Sequence, residues 1–443
     1  MANVVKIGNA QGFWGDSPSA PATLAHQVPD MGYLTLDYLA EVSMSILAKQ
    51  RQRDPQAGYA RDFIDVAASL APFWRGGRKL RIVTNAGALN PASCARAVAQ
   101  TLRSLDCRAL RIAVVSGDDV LPALRHSQND FSNLESGRPL SDVNDRLVTA
   151  NAYLGAAPLA DALAQGADIV ITGRVADPSL TVGPCLYHFG WNHHDYDRLA
   201  GATVAGHLIE CGTQVTGGIT TDWLDVPDVA HIGYPVVEVA EDGSCTVTKP
   251  PRTGGRVNEA IVKEQLVYEI GDPGNYLSPD ATVSFLSLRV SEAGPDRVHL
   301  AGASGRPPPS TYKVSATYRV GFRASGTLTI FGRGAHEKAR RCGEIILQRL
   351  REAGAEPAES RVDYLPATDD GGAMEVLLRV TVSDPRREAV ERFTREIAPL
   401  VTCGPQGTTG YAEGRPAVHE AFGYWPTLID RELVRPRIEI LEV

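Results

Sequence analysis

Lysine is scarce in this chain. Among 44 basic side chains in 443 residues only seven are lysines (Lys6, Lys49, Lys79, Lys249, Lys263, Lys313 and Lys338), and none lies between Lys79 and Lys249. A Schiff-base or P-loop lysine is therefore excluded from that stretch. Net positive charge is lacking as well. The 52 acidic side chains leave a formal charge of −8, which argues against nonspecific nucleic-acid binding and against an anionic membrane surface. Cysteines number seven, an odd count, and never form a CxxC pair. A disulfide scaffold and a zinc ribbon are poor readings of that pattern, and reduced cytoplasmic thiols a better one. No apolar run approaches the ~20 residues needed to span a bilayer, and the opening MANVVKIGNAQGFWGD has neither the basic nor the apolar part of a secretory signal.

What is present is globular: 43% hydrophobic and 22% charged residues, in a chain long enough for two or three domains. The first 190 or so residues alternate short β-branched runs (4–8, 80–85, 110–116, 168–172) with amphipathic stretches (34–50, 61–73, 91–105, 157–165). This alternation predicts an α/β fold with a doubly wound, mainly parallel sheet, whose ligands bind past the carboxyl ends of the strands. Beyond about residue 230 the runs shorten into expected hairpins (236–240, 245–248, 282–290, 298–301, 313–322, 327–331). A helix (335–353), strands near 360–365 and 374–382, a helix (385–400) and a last strand (437–443) follow. Their βαββα order predicts a smaller α+β, ferredoxin-like domain. The proline run 305–310 marks the expected boundary, giving domains 1–305 and 306–443.

Polar residues gather at the expected strand ends. Asn9, Gly12, Asp16 and Ser17 follow the first strand, in a glycine turn that suits a phosphate or carboxylate if Asp16 or Ser17 caps a helix starting at Pro18. The spacing is G-x3-G-x2-G, which is not a dinucleotide fingerprint. Asp37 and Glu41, at i and i+4, would share one helix face as an acid/base pair, unless they are solvated surface carboxylates. Asn85 ends the second clear strand, where it could serve an oxyanion. The stretch TGRVADPS delivers Arg174, Asp177 and Ser179 together. Arg174 offers a planar fork to an anionic ligand, with pairing to Asp177 as the plainer account and helix capping as the plainer role of Asp177. His207, Glu210 and Cys211 end an expected helix and could converge as an activated thiolate or as metal ligands, against ordinary packing. No metal is expected on balance, and no cofactor is indicated.

The segments IGNAQGFWGDSPSA, YLTLDYLAE, TNAGALNP, ITGRVADPSLTVGP, VAGHLIECGTQVTGG, EQLVYEIGDPGNYLSPD, TYKVSATYRVGF and GPQGTTGYAEGRPAVHEAFGYWP span nearly the whole chain. Together they closely resemble the family named for acyclic terpene utilisation, with Ile219 departing from an expected Asn. The resemblance implies work on citronellol- and geraniol-type compounds broken down as branched acyl-CoA thioesters. It places candidate site residues at Asn9, Asp16, Asp37, Glu41, Asn85, Arg174, Asp177, Glu210 and Cys211. Longer relatives carry a further carboxyl-terminal domain, so a small partner subunit is an expected partner, beside an anionic substrate and a homo-oligomeric assembly. The expected function is hydratase or lyase chemistry on an acyl-CoA or related carboxylate, with Glu41 or Glu210 moving the proton. A Cys211-dependent thioester hydrolase and a non-catalytic ligand-binding subunit are the alternatives.

Overall fold

A computed structural model describes residues 3–107, 109–126, 129–366, 375–411 and 414–443, the side chains of Glu41 and Val42 excepted. The chain divides into two compact units. The larger comprises residues 1–142, 148–316 and 425–443; the smaller comprises 143–147 and 317–424.

The larger unit begins with β1 (Val4–Asn9), α1 (Ala20–Gln27), β2 (Tyr33–Leu36), α2 (Glu41–Arg53), α3 (Asp62–Arg75), β3 (Arg81–Thr84) and α4 (Pro91–Ser104). It continues through β4 (Arg111–Ser116), α5 (Leu121–His126), β5 (Leu147–Ala152), α6 (Ala157–Ala164), β6 (Ile169–Thr172), α7 (Ser179–Phe189) and α8 (Tyr196–Ile209). Then come β7 (Val236–Ala240), β8 (Cys245–Thr248), α9 (Glu259–Val267), β9 (Tyr276–Leu277), β10 (Thr282–Ser284), β11 (Arg289–Gly294), β12 (Arg297–Ala301) and β13 (Ser304–Arg306). The strand β14 (Thr311–Phe331) runs on into the smaller unit, which adds α10 (Ala335–Glu352), β15 (Glu359–Leu365), β16 (Glu375–Asp384), α11 (Arg387–Phe393), α12 (Leu400–Cys403) and β17 (Thr408–Thr409). The chain returns along β18 (His419–Asp430) and closes with β19 (Arg437–Glu442).

One ten-stranded sheet organises the larger unit, in the order β11-β12-β8-β7-β1-β2-β3-β6-β4-β19. Its middle, β1-β2-β3-β6-β4, is parallel, while β7 and β19 join antiparallel on either side. Parallel strands in mid-sheet carry apolar side chains toward both faces. Leu34, Leu36, Ile82, Ile112, Ile169 and Ile171 pack with Leu24, Phe63, Leu70, Val98 and Leu102 of the helices in one buried core. The smaller unit has its own core, in which Leu328, Ile330, Leu378 and Val380 of the strands meet Ile346, Leu350 and Phe393 of the helices.

Several sequence expectations are corrected here. Residues 34–50 are not one helix. YLTL forms β2, all four residues buried, and the helix starts only at Glu41. A buried strand lacks the polar alternation that would separate it from a helix, so the run read as helical. Asp37 consequently lies in the β2–α2 loop and does not share a helix face with Glu41. The runs 313–322 and 327–331 belong to one strand of 21 residues, Thr311–Phe331, with Gly326 inside it. Conversely, 282–290 divides into β10 and β11, and 385–400 into α11 and α12. Helix α1 begins at Ala20, not Pro18, and its N-cap is Ser19. β18 escaped notice because Pro426 sits within it, and proline counts against strands. The expected start of a strand at Met374 lies outside the described residues.

Candidate active site

The parallel strands end on a layer of buried polar side chains. After β1, the Asn9 amide donates to the carbonyls of Ile209 (2.5 Å) and Glu210 (2.8 Å), pinning the end of α8. After β2, Asp37 accepts from Leu39 N (3.1 Å) and from the Asn85 amide at the end of β3 (2.6 Å), while Asn85 Oδ1 accepts from Tyr38 N (2.7 Å). Past the end of β4, Asp118 accepts from Asn151 Nδ2 and from the backbone N–H of Arg174, each at 2.8 Å. Beyond β6, the Arg174 guanidinium donates to Leu39 O (2.5 Å) and to Asp177 (2.8 Å), and lies 4.1 Å above the Tyr153 ring. Arg174 is 3% exposed, so its charge is held by a carboxylate, a carbonyl and a ring face.

Asp16 does not cap α1. Its carboxylate turns back to accept from Gly12 N (2.8 Å) and from the Tyr234 hydroxyl (3.1 Å). That fold-back seats Gly12 on the turn after α8: a Cβ there would lie 2.6 Å from the Cys211 carbonyl carbon and 2.8 Å from Gly212 N. Backbone against backbone cannot yield cheaply. Gly12→Ala is therefore expected to lose about 1–3 kcal/mol of stability, read as a lower urea midpoint at unchanged slope. An unchanged midpoint would show that the turn can move aside.

Burial raises the pKa of Asp37 well above the ordinary carboxylate value, where Asp177 adds to the effect and Arg174 and Asn85 oppose it. Asp118 is pushed up to about 6 by burial, against its two hydrogen bonds. An acid raised in the folded state contributes stability that is complete below its unfolded value and is lost as pH climbs through the folded one. Between an ordinary 3.8 and about 6, Asp118 should thus withdraw up to about 3 kcal/mol. Asp118→Asn is expected to flatten the fall of the urea midpoint over that interval relative to the native protein. Parallel curves for the two would remove Asp118 from the account.

In front of this layer lies a cavity of about 370 Å³, entirely within the larger unit. Arg174, Asp177, His207, Glu210 and Glu269 line it, with Tyr153, Tyr276, Tyr312, Lys313 and a wall of Pro178, Pro279, Pro309, Leu134, Leu277 and Leu428. At its floor His207 Nε2 lies 3.0 Å from the Gln265 carbonyl, and Nδ1 lies 3.1 Å from Glu210 Oε1. A carbonyl only accepts, so Nε2 carries the hydrogen. Burial pushes the imidazole down to about 4, so the neutral ring offers a lone pair at Nδ1 and Glu210 supplies the proton between them. Burial, with Asp177 and Glu269 nearby, raises Glu210 well above an ordinary carboxyl, which fits that neutral form. Its other oxygen, Oε2, is buried with no hydrogen-bond partner among the described residues. The arrangement is a carboxyl–imidazole pair holding one shared proton, enclosed by Tyr276 and Phe285 at 6.1 and 5.9 Å.

Of the expected site residues, Arg174, Asp177 and Glu210 line the cavity. Asn9, Gly12, Asp16, Asp37 and Asn85 form the bed behind it. Asn85 is fully buried and spends its amide on Asp37, which corrects its expected role as an oxyanion donor. Asp177 pairs with Arg174, and the N-cap of α7 is Pro178. Ser179 donates to Asp280, whose other oxygen accepts from Ala156 N (2.7 Å), so this hydroxyl braces a loop. His207 and Glu210 converge as expected, but Cys211 does not join them. Both imidazole nitrogens are taken, and burial beside Glu210 and Asp37 pushes the thiol far up, so no base is available to make it a thiolate. Glu41 opens α2, and its side chain is outside the described set. Among the described residues no group of three His, Cys, Asp or Glu side chains is placed to hold a metal ion, and no helix is long and apolar enough to cross a membrane. Sequence reasoning missed Tyr153, Glu269, Tyr276 and Lys313. Three of them lie in EQLVYEIGDPGNYLSPD and TYKVSATYRVGF, segments noticed for their resemblance but given no chemistry.

Fold and site define a mixed α/β protein with a buried proton-sharing pair in a tyrosine-lined cavity at the carboxyl ends of parallel strands. The chain belongs to the acyclic terpene utilisation family: the model described as "Acyclic terpene utilisation family protein AtuA" matches residues 5–440. Comparison with curated proteins and with solved structures returned no match.

Proposed function

We propose that this protein is a catabolic enzyme of acyclic terpenoid or branched-acid breakdown that adds water to, or eliminates it from, an acyl-CoA thioester or related carboxylate. The observation that carries the reading is the Glu210–His207 pair, with Glu210 Oε2 unpartnered among the described residues, in a cavity that also holds the Arg174 cation. In the addition direction a water oxygen bonds to the β-carbon while the α-carbon takes a proton; elimination is the reverse. Glu210 in its neutral form gives that proton while His207 holds the carboxyl in place, the water's second proton returns to the carboxylate, and Arg174 offsets the negative charge that develops on the acyl oxygen. The cavity volume suits the acyl portion of a small ligand. The doubly wound reading of the larger unit and the ferredoxin-like reading of the smaller belong with this proposal, supported by the βαβ alternation and by an antiparallel sheet packed on α10. A homo-oligomer and a small partner subunit are proposed alongside it. The test is incubation with branched enoyl-CoA and 3-hydroxyacyl-CoA thioesters and mass-spectrometric analysis for a gain or loss of water. Absence of both products, with the protein alone and with a partner subunit added, would overturn the reading.

A further inference from the structure

Resting on that reading and deepening it, we propose that Lys313 anchors a free carboxylate of the ligand, so that the cavity takes branched hydroxy acids: anion at the Lys313–Tyr153 end, hydroxyl at the Glu210 end. Two cations share one ring. Arg174 lies 4.1 Å and Lys313 Nζ 5.0 Å from the Tyr153 centroid. Arg174 is balanced by Asp177 at 2.8 Å. The Lys313 ammonium lines the cavity with neither a hydrogen bond nor an acidic partner among the described residues. Lys313 is exposed at the edge of the cavity, so an anion arriving from solvent meets this unpaired cation beside the paired Arg174. The strand fixes its position, since Tyr153 N donates to Lys313 O at 2.9 Å. The far end has the opposite need. Glu210 Oε2 is a buried oxygen without a partner among the described residues, and buried polar groups are ordinarily satisfied. Since Oε1 is engaged by His207, a ligand hydroxyl at Oε2 is the chemistry that completes the site.

The experiment is titration calorimetry with three probes: 3-hydroxy-3-methylbutanoate, 3-methylbutanoate, and the methyl ester of the hydroxy acid. The native protein should bind the hydroxy acid most tightly, and both the ester and the plain acid more weakly. Lys313→Met should weaken the hydroxy acid about tenfold, as loss of one charge-assisted contact does, and leave the ester unchanged, while Lys313→Arg retains binding. Glu210→Met should erase the preference for the hydroxyl but keep the preference for the free carboxylate, whereas Glu210→Gln, which still presents an accepting oxygen there, should retain both. Equal affinity of Lys313→Met and native protein for the hydroxy acid, equal binding of ester and acid, or no saturable binding of any probe would each overturn the inference. Binding that follows this pattern without turnover of any thioester would sink the proposed reaction alone; turnover with Lys313→Met unaffected would sink the anchor alone.

Discussion

Glu210→Gln is expected to lower turnover of a branched acyl-CoA substrate by 10²–10⁴-fold, the range set by losing a positioned proton donor, with little change in thermal midpoint. Glutamine keeps the shape and can still donate an N–H to His207 Nδ1, so the imidazole stays neutral with its hydrogen on Nε2, facing the Gln265 carbonyl. What is lost is the transferable proton. Activity that needs the neutral acid should decline as pH rises through the raised pKa of Glu210, because burial and the nearby Asp177 and Glu269 hold the carboxyl protonated beyond the ordinary carboxylic range. Steady-state rates over a pH series for both proteins give the comparison. Native-like turnover in the variant would mean that the pair is structural.

Arg174→Ala carries the largest expected loss of stability, about 3 kcal/mol or more, the usual cost of removing one partner of a buried ion pair. The guanidinium holds Asp177, caps the Leu39 carbonyl and lies on Tyr153, and it also moderates the charge on Asp37 and Glu210. Without it these carboxyls lose the cation that opposes their rise, so their pKa values should rise further. Urea unfolding near neutral pH measures the loss. The double change Arg174→Met with Asp177→Asn should recover part of it, because no unpaired charge is then buried. A double variant no more stable than Arg174→Ala would locate the defect in packing against Tyr153.

The parallel middle of the sheet was legible because its strands are short apolar runs ending in small or polar residues, as at 80–85 and 168–172. β2 was not, for the same reason in another guise: YLTL has no polar face, and the residues after it continue a helical rhythm. Residues at strand ends were also legible, and Asn9, Asp37, Asn85 and Arg174 do converge. Their chemistry was harder to read. Which polar groups face a ligand and which face one another depends on partners 47 to 201 positions away in sequence, such as Asn85 for Tyr38 and Glu210 for Asn9. Four polar residues taken for a binding rim are instead the bed beneath it. Lys313 and Tyr276 reach the cavity from segments that no local motif ties to β6, so spacing alone did not reveal them.

The two sides of the cavity differ in kind. One is knitted by strand-end hydrogen bonds from Asn9, Asp37, Asn85 and Asp118. The other includes the loop before β9, with Glu269 held at a positive φ of 56° that a glutamate adopts at some cost. A mould with one fixed half and one adaptable half confines evolutionary change to the adaptable half. Redesign of chain length or branching in the accepted ligand belongs in Leu277–Pro279, and not in Glu269 or Tyr276, which bear directly on the proton-handling pair.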